Sequence, residues 1–346
     1  MSELLLIPLP YAYSEQPSLT GVLRRQPEDF IVEEILGFEP EGEGEHVFLW
    51  IEKTGLNTQQ VADRIARFAK LPARQISYSG MKDRNAVTKQ WFSVHLPGNK
   101  DLDWPQLADT QVKVLKTVRH LRKLRRGVHK ANRFTIRVSD IEGDFSGLEE
   151  RLAAISSQGV PNYFGEQRFG FDGANLVKAQ QLFAGSFKAK RHQRGIYISA
   201  ARSYLYNQLL ASRVQAENWA RLLDGELLML AGSHSVFLQT DEQDLEQRLA
   251  TADIHLTGPM YGKASSLSCA GAVAELEQSI LSAYPDLLAG LEQEGLKAER
   301  RALRSLAQDM SWQLDKQHIE LSFSLDSGCF ATAVVRELVN YKTYRQ

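Results

Sequence analysis

Cysteine is nearly missing from this sequence: Cys269 and Cys329 are the two thiols among 346 residues. Two thiols so far apart form neither a zinc ligand set nor a disulfide framework, and they fit a reducing compartment. Long apolar runs are missing too. No stretch reaches the roughly 18 apolar residues of a membrane-spanning helix. The opening "MSELLLIPLPYAY" has an acid ahead of its short apolar run, where a signal peptide would carry bases. A cytoplasmic location is expected, with no membrane partner and no obligatory protein partner evident.

The familiar cofactor and metal signatures are absent as well. "GPMYGKAS" (258–265) has three residues between its glycines and Ala264 after its lysine; a phosphate-binding loop needs four, and Ser or Thr after the lysine. "GEGEH" (42–46) lacks the third glycine of a dinucleotide fingerprint. The eight histidines are scattered singly, with no H-E-x-x-H. There is no P-C-x-x-C of a zinc nucleobase deaminase and no G-x-S-x-G of a serine hydrolase. No metal and no cofactor are expected.

Charge is balanced overall, at a net −1, yet it is segregated along the chain. From Glu28 to Glu45 there are eight acids and no lysine or arginine. Between Asp109 and Asp140 there is no acid, and ten cations crowd the window: Lys113, Lys116, Arg119, Arg122, Lys123, Arg125, Arg126, Lys130, Arg133 and Arg137. Such a block repels itself unless a polyanion is nearby. It reads either as a solvated basic hairpin or, preferably, as a grip on a phosphate backbone.

Hydrophobic periodicity sketches the architecture. Strands are expected at 45–53, 74–80, 90–96, 110–120 and 132–139. A helix is expected at 57–70, capped by Asn57 or Thr58 and burying Val61, Ile65 and Phe68 on one face. Helical spacing then takes over at 146–157, 173–184, 200–220, 275–292 and 295–308. A strand returns at 317–325, and the apolar segment 329–340 has a helical look. Strand, then helix, then strand again is the order left when one domain is inserted into another. The expected class is α+β. Within "YSGMKDRNAVTKQW" (78–91), Asp83 falls on a loop between two strands, a usual place for chemistry.

The segments "SGMKDRNAVTKQW", "KANRFTIRV", "GVPNYFGEQRFG", "SAARSYLYNQLL" and "SFSLDSGCFATAVVREL", in this order, resemble the TruD family of tRNA pseudouridine synthases. So does the opening "RQPEDFIVEEILGFEPEGEGEHVFLWIEKTGLNTQQVA". The resemblance implies a pseudouridine synthase core of mixed sheet at residues 1–156 and 308–346, interrupted by a mainly helical TRUD insertion at 157–307. It implies isomerisation of a uridine in tRNA at the D-arm position conventionally called thirteen, without a cofactor. Asp83 takes the place of the catalytic aspartate, and Lys82 that of its basic partner. Phe30 and Phe330 match aromatic positions lining the uridine pocket, Asn132 matches a polar one, and Phe134 lies in the same motif. Arg119, Arg122, Lys123, Arg125, Arg126 and Lys130 would hold the tRNA backbone. The acid-free stretch 184–195, with Lys188, Lys190, Arg191 and Arg194, is either a second tRNA contact or a solvated loop. Cys329 stands where serine is usual in the family.

The chemistry needs these residue types. A carboxylate can attack the sugar or the base or accept a proton. Aromatic faces replace the stacking a flipped base loses, and an amide reads the uracil edge. Neighbours on a strand point opposite ways, so Lys82 can meet Asp83 only if the loop turns between them. Two alternatives stay open: a tRNA-binding protein that remodels RNA without chemistry, and a synthase acting on another RNA.

Overall fold

A computed structural model of the chain describes residues 8–13, 16–98, 101–233, 235–241, 244–263, 267–315 and 317–343. The apolar run at 1–7 and the Ala264–Ser265 pair after Lys263 lie outside them. The packing divides into two compact units. One comprises the residues up to Gln16, Gly159–Ser305 and Thr332–Glu337; the other comprises Pro17–Gln158, Leu306–Ala331 and the residues from Leu338 on.

The second unit is built on one large sheet. Its strands are β1 (Thr20–Leu23), β2 (Phe30–Ile35), β3 (His46–Thr54), β4 (Ile76–Tyr78), β5 (Val87–His95), β6 (Val112–His120) and β7 (Ala131–Glu142), joined late in the chain by strands at Gln308–Leu314, His318–Asp326 and Asn340–Thr343. The strand at His318–Asp326 pairs with β7, β7 with β2, β2 with β5, β5 with β3 and β3 with β6. The β2–β5 pair is parallel and its neighbours are antiparallel, so the sheet is mixed. The expected α+β class holds.

Helix α1 (Thr58–Ala69) covers part of one sheet face. Asn57 caps it: the Asn57 side chain accepts from the Gln60 N–H at 2.9 Å, and the Gln60 side chain accepts from the Asn57 N–H at 2.8 Å. This reciprocal box satisfies two orphan donors at the helix start. Val61, Ile65 and Ala66 from the helix pack with Val47, Leu49, Ile51, Phe92 and Val94 from β3 and β5. Side chains alternate between faces along a strand. Continuing that face by register, Lys53 lies opposite Thr88, Ile51 opposite Gln90, and Glu34 opposite Asn132. The face is apolar beneath α1 and turns polar where that cover ends.

In the other unit, α4 (Arg191–Gln215), preceded by α2 (Leu148–Gln158) of the sheet unit and by α3 (Ala174–Phe183), is the longest helix among the described residues. It starts nine residues before the expected 200, so that Arg191 and Arg194 are helical, and Arg194 pairs with Glu294 at 2.6 Å. Two further helices, Gly271–Leu281 and Pro285–Gln293, occupy the expected 275–292. The segment 295–308, expected as helix, instead forms strands at Glu299–Ala302 and Arg304–Ser305 and the start of the strand at Gln308. Glu299–Ala302 completes a four-stranded sheet by pairing with Ile254–Met260. The helix-forming Ala, Arg and Leu of that segment yield to long-range pairing. No helix among the described residues is long and apolar enough to cross a membrane.

Candidate active site

The loop between β4 and β5 crosses the polar part of the sheet face and is tied down at five residues, Ser79, Gly80, Lys82, Asp83 and Arg84. The Ser79 hydroxyl accepts the His129 backbone N–H at 2.8 Å. The Gly80 carbonyl accepts from the Gln90 amide at 3.1 Å, and the Lys82 N–H donates to the Thr58 hydroxyl at 2.8 Å. The Asp83 carbonyl accepts from Lys53 Nζ at 2.8 Å, and Arg84 Nε donates to the Gly55 carbonyl at 3.1 Å. Apart from that of the exposed Arg84, these bonds join the loop to buried side chains or to the His129 backbone, so its course is set largely by the sheet and α1.

On this loop Lys82 and Asp83 point to different surroundings. The Asp83 side chain is 44% exposed, and its Oδ2 accepts from Arg24 Nη2 at 2.6 Å. Arg24 is only 8% exposed and lies with its guanidinium carbon 3.9 Å from the Phe30 ring centre. Its backbone, at φ 61°, is left-handed, an arrangement that costs a non-glycine residue about 1–2 kcal/mol. A planar, delocalised cation stacked on an aromatic ring presents its donors in a fixed direction. The carboxylate is therefore oriented by a buried arginine while its other edge faces solvent.

Lys82 runs inward. Its Nζ pairs with Glu34 Oε2 at 2.8 Å, with the two side chains 6% and 0% exposed. The remaining Glu34 oxygen accepts from the Trp91 backbone N–H at 3.2 Å. The expected partnership of Lys82 with Asp83 is replaced: Lys82 pairs with Glu34 and Asp83 with Arg24. Arg24 takes the position expected of Lys82, and Lys82 anchors the loop through Glu34. Lys53, fully buried, donates to the carbonyls of Leu56 at 2.7 Å and Asp83 at 2.8 Å. Burial pushes its pKa down to about 8, against the opposing pull of Asp83.

Of the expected base-binding residues, Phe30, Asn132 and Phe134 share this sheet face, and Phe330 lies outside the strands. Phe30 and Phe134 are both buried, edge to face at 6.1 Å, and Phe134 packs on Phe323 at 5.7 Å. Phe134 is thus part of the packing beneath the site. Phe330 is half-buried, on the segment between the strand ending at Asp326 and the helix Ala331–Arg336. Asn132, at the start of β7, is buried, with its Nδ2 3.4 Å from His129 Nε2. Sequence reasoning missed Arg24, Glu34, Lys53, His129 and Ser327. A basic pair ahead of "PEDF" was the only visible trace of Arg24, and nothing local distinguished it from Arg25.

The six cations expected on the tRNA backbone divide. Arg119 is half-buried and its Nη1 donates to the carbonyls of Gly44 at 3.2 Å, Leu96 at 2.9 Å and Gly98 at 3.2 Å, so it ties loops together. Arg126 lies 4.2 Å over the Tyr78 ring and donates to its hydroxyl at 2.9 Å. Lys123 reaches the Arg74 carbonyl at 3.3 Å from an exposed position. Arg122, Arg125 and Lys130 are exposed and in no ion pair among the described residues. No group of three or more metal-ligating side chains comes together among the described residues.

With this geometry in view, the chain can be set beside known proteins. A family model described as tRNA pseudouridine synthase D (TruD) matches residues 8–189 and 173–338. A protein named tRNA pseudouridine synthase D from Pseudoalteromonas atlantica is 42% identical over 336 residues, covering 95% of each chain. One of the same name from Aeromonas hydrophila is 46% identical over 324 residues, covering 93% of this chain and 92% of that one. Among solved structures, the putative tRNA pseudouridine synthase D (TruD) from Methanosarcina mazei superposes with a TM-score of 0.70 over 95% of both chains at 22% identity, a likeness of fold.

Proposed function

The chain belongs to the TruD family, tRNA pseudouridine synthase D, and from that membership we propose that it isomerises uridine to pseudouridine in tRNA at D-arm position thirteen, with Asp83 as the reagent and without a cofactor. The observation that carries the assignment of Asp83 is its contrast with its surroundings. It is a solvent-facing carboxylate on a loop fastened to the buried Lys53 and Thr58, oriented by an arginine whose own side chain is nearly inaccessible. A surface carboxylate with no task has no need of such a frame.

The reaction breaks the bond between the sugar C1′ and N1 of uracil, turns the base, and joins C1′ to C5. The C5 proton leaves and N1 acquires one, so the product is an isomer and nothing is oxidised or reduced. The Asp83 carboxylate acts as nucleophile or proton acceptor in this sequence. Arg24 keeps it aimed, and Lys53 and Lys82 keep the loop in place beneath it. The core at residues 1–156 and 308–346 carries the chemistry, the TRUD insertion at 157–307 contributes to holding the tRNA, and Phe330 stacks on the displaced base. Stacking of that kind is worth about 1–3 kcal/mol per base, on the scale of what unstacking costs.

The test compares wild type with Asp83→Asn on tRNA labelled with tritium at C5 of the target uridine. Tritium release is expected to fall by at least about 10²–10⁴-fold, the range of a positioned acid–base group, while tRNA binding stays as it was. Release at the wild-type rate would sink the assignment.

A further inference from the structure

Asn132 carries a polar atom that the protein leaves unanswered. The residue is more than nine-tenths buried, yet its Oδ1 has no hydrogen-bond partner among the described residues. A buried acceptor without a donor is costly to a folded chain, on the order of 1–3 kcal/mol, unless a ligand answers it. The other end of the same amide is held: Nδ2 lies 3.4 Å from His129 Nε2.

His129 is itself fixed on both ring nitrogens. Its Nδ1 is 2.6 Å from the Ser79 hydroxyl, and its Nε2 is 3.1 Å from the Ser327 hydroxyl. Gly80 lets the ring approach closely, since a Cβ there would stand 3.0 Å from His129 Cε1. Ser79 sits on the pinned β4–β5 loop, and Ser327 donates its backbone N–H to the Lys130 carbonyl at 3.1 Å. Burial, with the Lys82 charge adding to it, pushes the His129 pKa down to about 4, so the ring is neutral at physiological pH. A neutral imidazole has one donor and one acceptor nitrogen. In the tautomer whose Nδ1–H donates to Ser79, Nε2 is the acceptor, and both Ser327 and Asn132 can donate to it.

We propose that His129 is a positioning residue that locks the Asn132 amide in one of its two orientations, and so makes the site read uracil and reject cytosine. The proposal rests on the reading of Asn132 as a group facing the base. Uracil shows a donor at N3 beside an acceptor at O4; cytosine shows an acceptor at N3 beside a donor at N4. An amide whose Nδ2 is tied to His129 keeps Oδ1 free to accept from N3–H, and has a second N–H for the neighbouring carbonyl. Cytosine needs the amide turned over, which would set Oδ1 against the lone pair of Nε2. Without His129 the amide can turn to suit either base. Selectivity by an unpaired polar group is stronger than selectivity by shape.

The test has three arms. In the free wild-type enzyme, imidazole ¹⁵N shifts should show Nε2 unprotonated; an Nε2–H tautomer would overturn the proposal, and this arm needs no variant to fold. In the second arm, unmodified tRNAs bearing uridine or cytidine at the target site compete for binding. His129→Phe should reduce the preference for uridine by about tenfold, the size of one neutral hydrogen bond, and His129→Gln, whose amide oxygen can accept from Asn132, should retain part of it. A wild-type preference in His129→Phe would also overturn the proposal. The third arm separates the failures. If Asn132→Ala loses the preference and His129→Phe keeps it, the base-facing role of Asn132 stands and the His129 role falls. If Asn132→Ala keeps it, Asn132 does not face the base and both fall together.

Discussion

Two charged stretches of this protein have opposite fates: residues 79–84, which mix Lys82, Asp83 and Arg84, and residues 119–130, which carry cations and no acid. Along residues 79–84, Ser79, Gly80, Lys82 and Asp83 bond to groups of the sheet, of α1 and of the His129 backbone, and the Asp83 carboxylate keeps an edge to solvent between the exposed Met81 and Arg84. Along 119–130 the backbone is tied at Leu124, Gly127, His129 and Lys130, while the side chains of Arg122, Arg125 and Lys130 are exposed with no ion pair among the described residues. The first stretch is preorganised to present one atom group in one direction, as chemistry requires. The second offers adaptable positive charge, as grip on a phosphate backbone requires. Arg119 and Arg126 mark the border, because both sit in the basic window while their guanidiniums are engaged by the fold.

After Asp83→Asn itself, the largest blow to the first stretch should come from Glu34→Gln. It leaves the Lys82 ammonium buried without its counter-charge, a loss of about 3–5 kcal/mol for a buried pair. The unfolding midpoint in urea should fall accordingly, and tritium release should drop with it because the loop loses its inner anchor. Unchanged stability would mean that water reaches Lys82 and that the loop is less fixed than its bonds suggest.

The second stretch should respond to salt rather than to denaturant. Arg122→Ala and Arg125→Ala should each reduce the slope of log affinity against log salt by about 0.7–0.9, one phosphate contact apiece, with turnover unchanged at saturating tRNA. Arg119→Ala should do the reverse, leaving the slope alone and lowering the melting temperature, since it ties three carbonyls. If Arg119→Ala changed the slope as much as Arg122→Ala, the border between the two stretches would be drawn in the wrong place.

A further effect concerns the pH dependence of stability. His129 is held neutral down to about pH 4, whereas an unfolded histidine protonates near the ordinary 6.5. Between those values the unfolded chain binds more protons, so stability falls as pH drops from 6.5 to 4 and the loss is complete below. The melting temperature of wild type should decline relative to His129→Phe across that window and run parallel to it above pH 7. Parallel curves throughout would place the histidine in contact with solvent.

The places where expectation and structure part have a common cause. The segment 295–308 has helix-forming residues, and its strand pairing is supplied by Thr257–Met260 some forty residues earlier, with Arg300 bonded to Thr257 and Glu277. The resemblance put Lys82 in the place of Asp83's basic partner, whereas the side chain paired with Asp83 is that of Arg24, 59 residues earlier and ahead of β2, β3 and β4. Helix α1, by contrast, was legible to within a residue, because its capping box and its apolar stripe are both local.

By itself the sequence determined the strands and helices whose signals lie within a few residues, the loop that carries Asp83, the segregation of charge, and the motifs of the family. Only the tertiary structure decided which cation faces that carboxylate, which arginines of the basic window are engaged by the fold, and that Asn132 and Ser327 meet at His129. Spacing along a chain fixes which face a side chain occupies. Its partner on that face is fixed by the register of strands distant in sequence, and that register is set by the packing of the whole sheet.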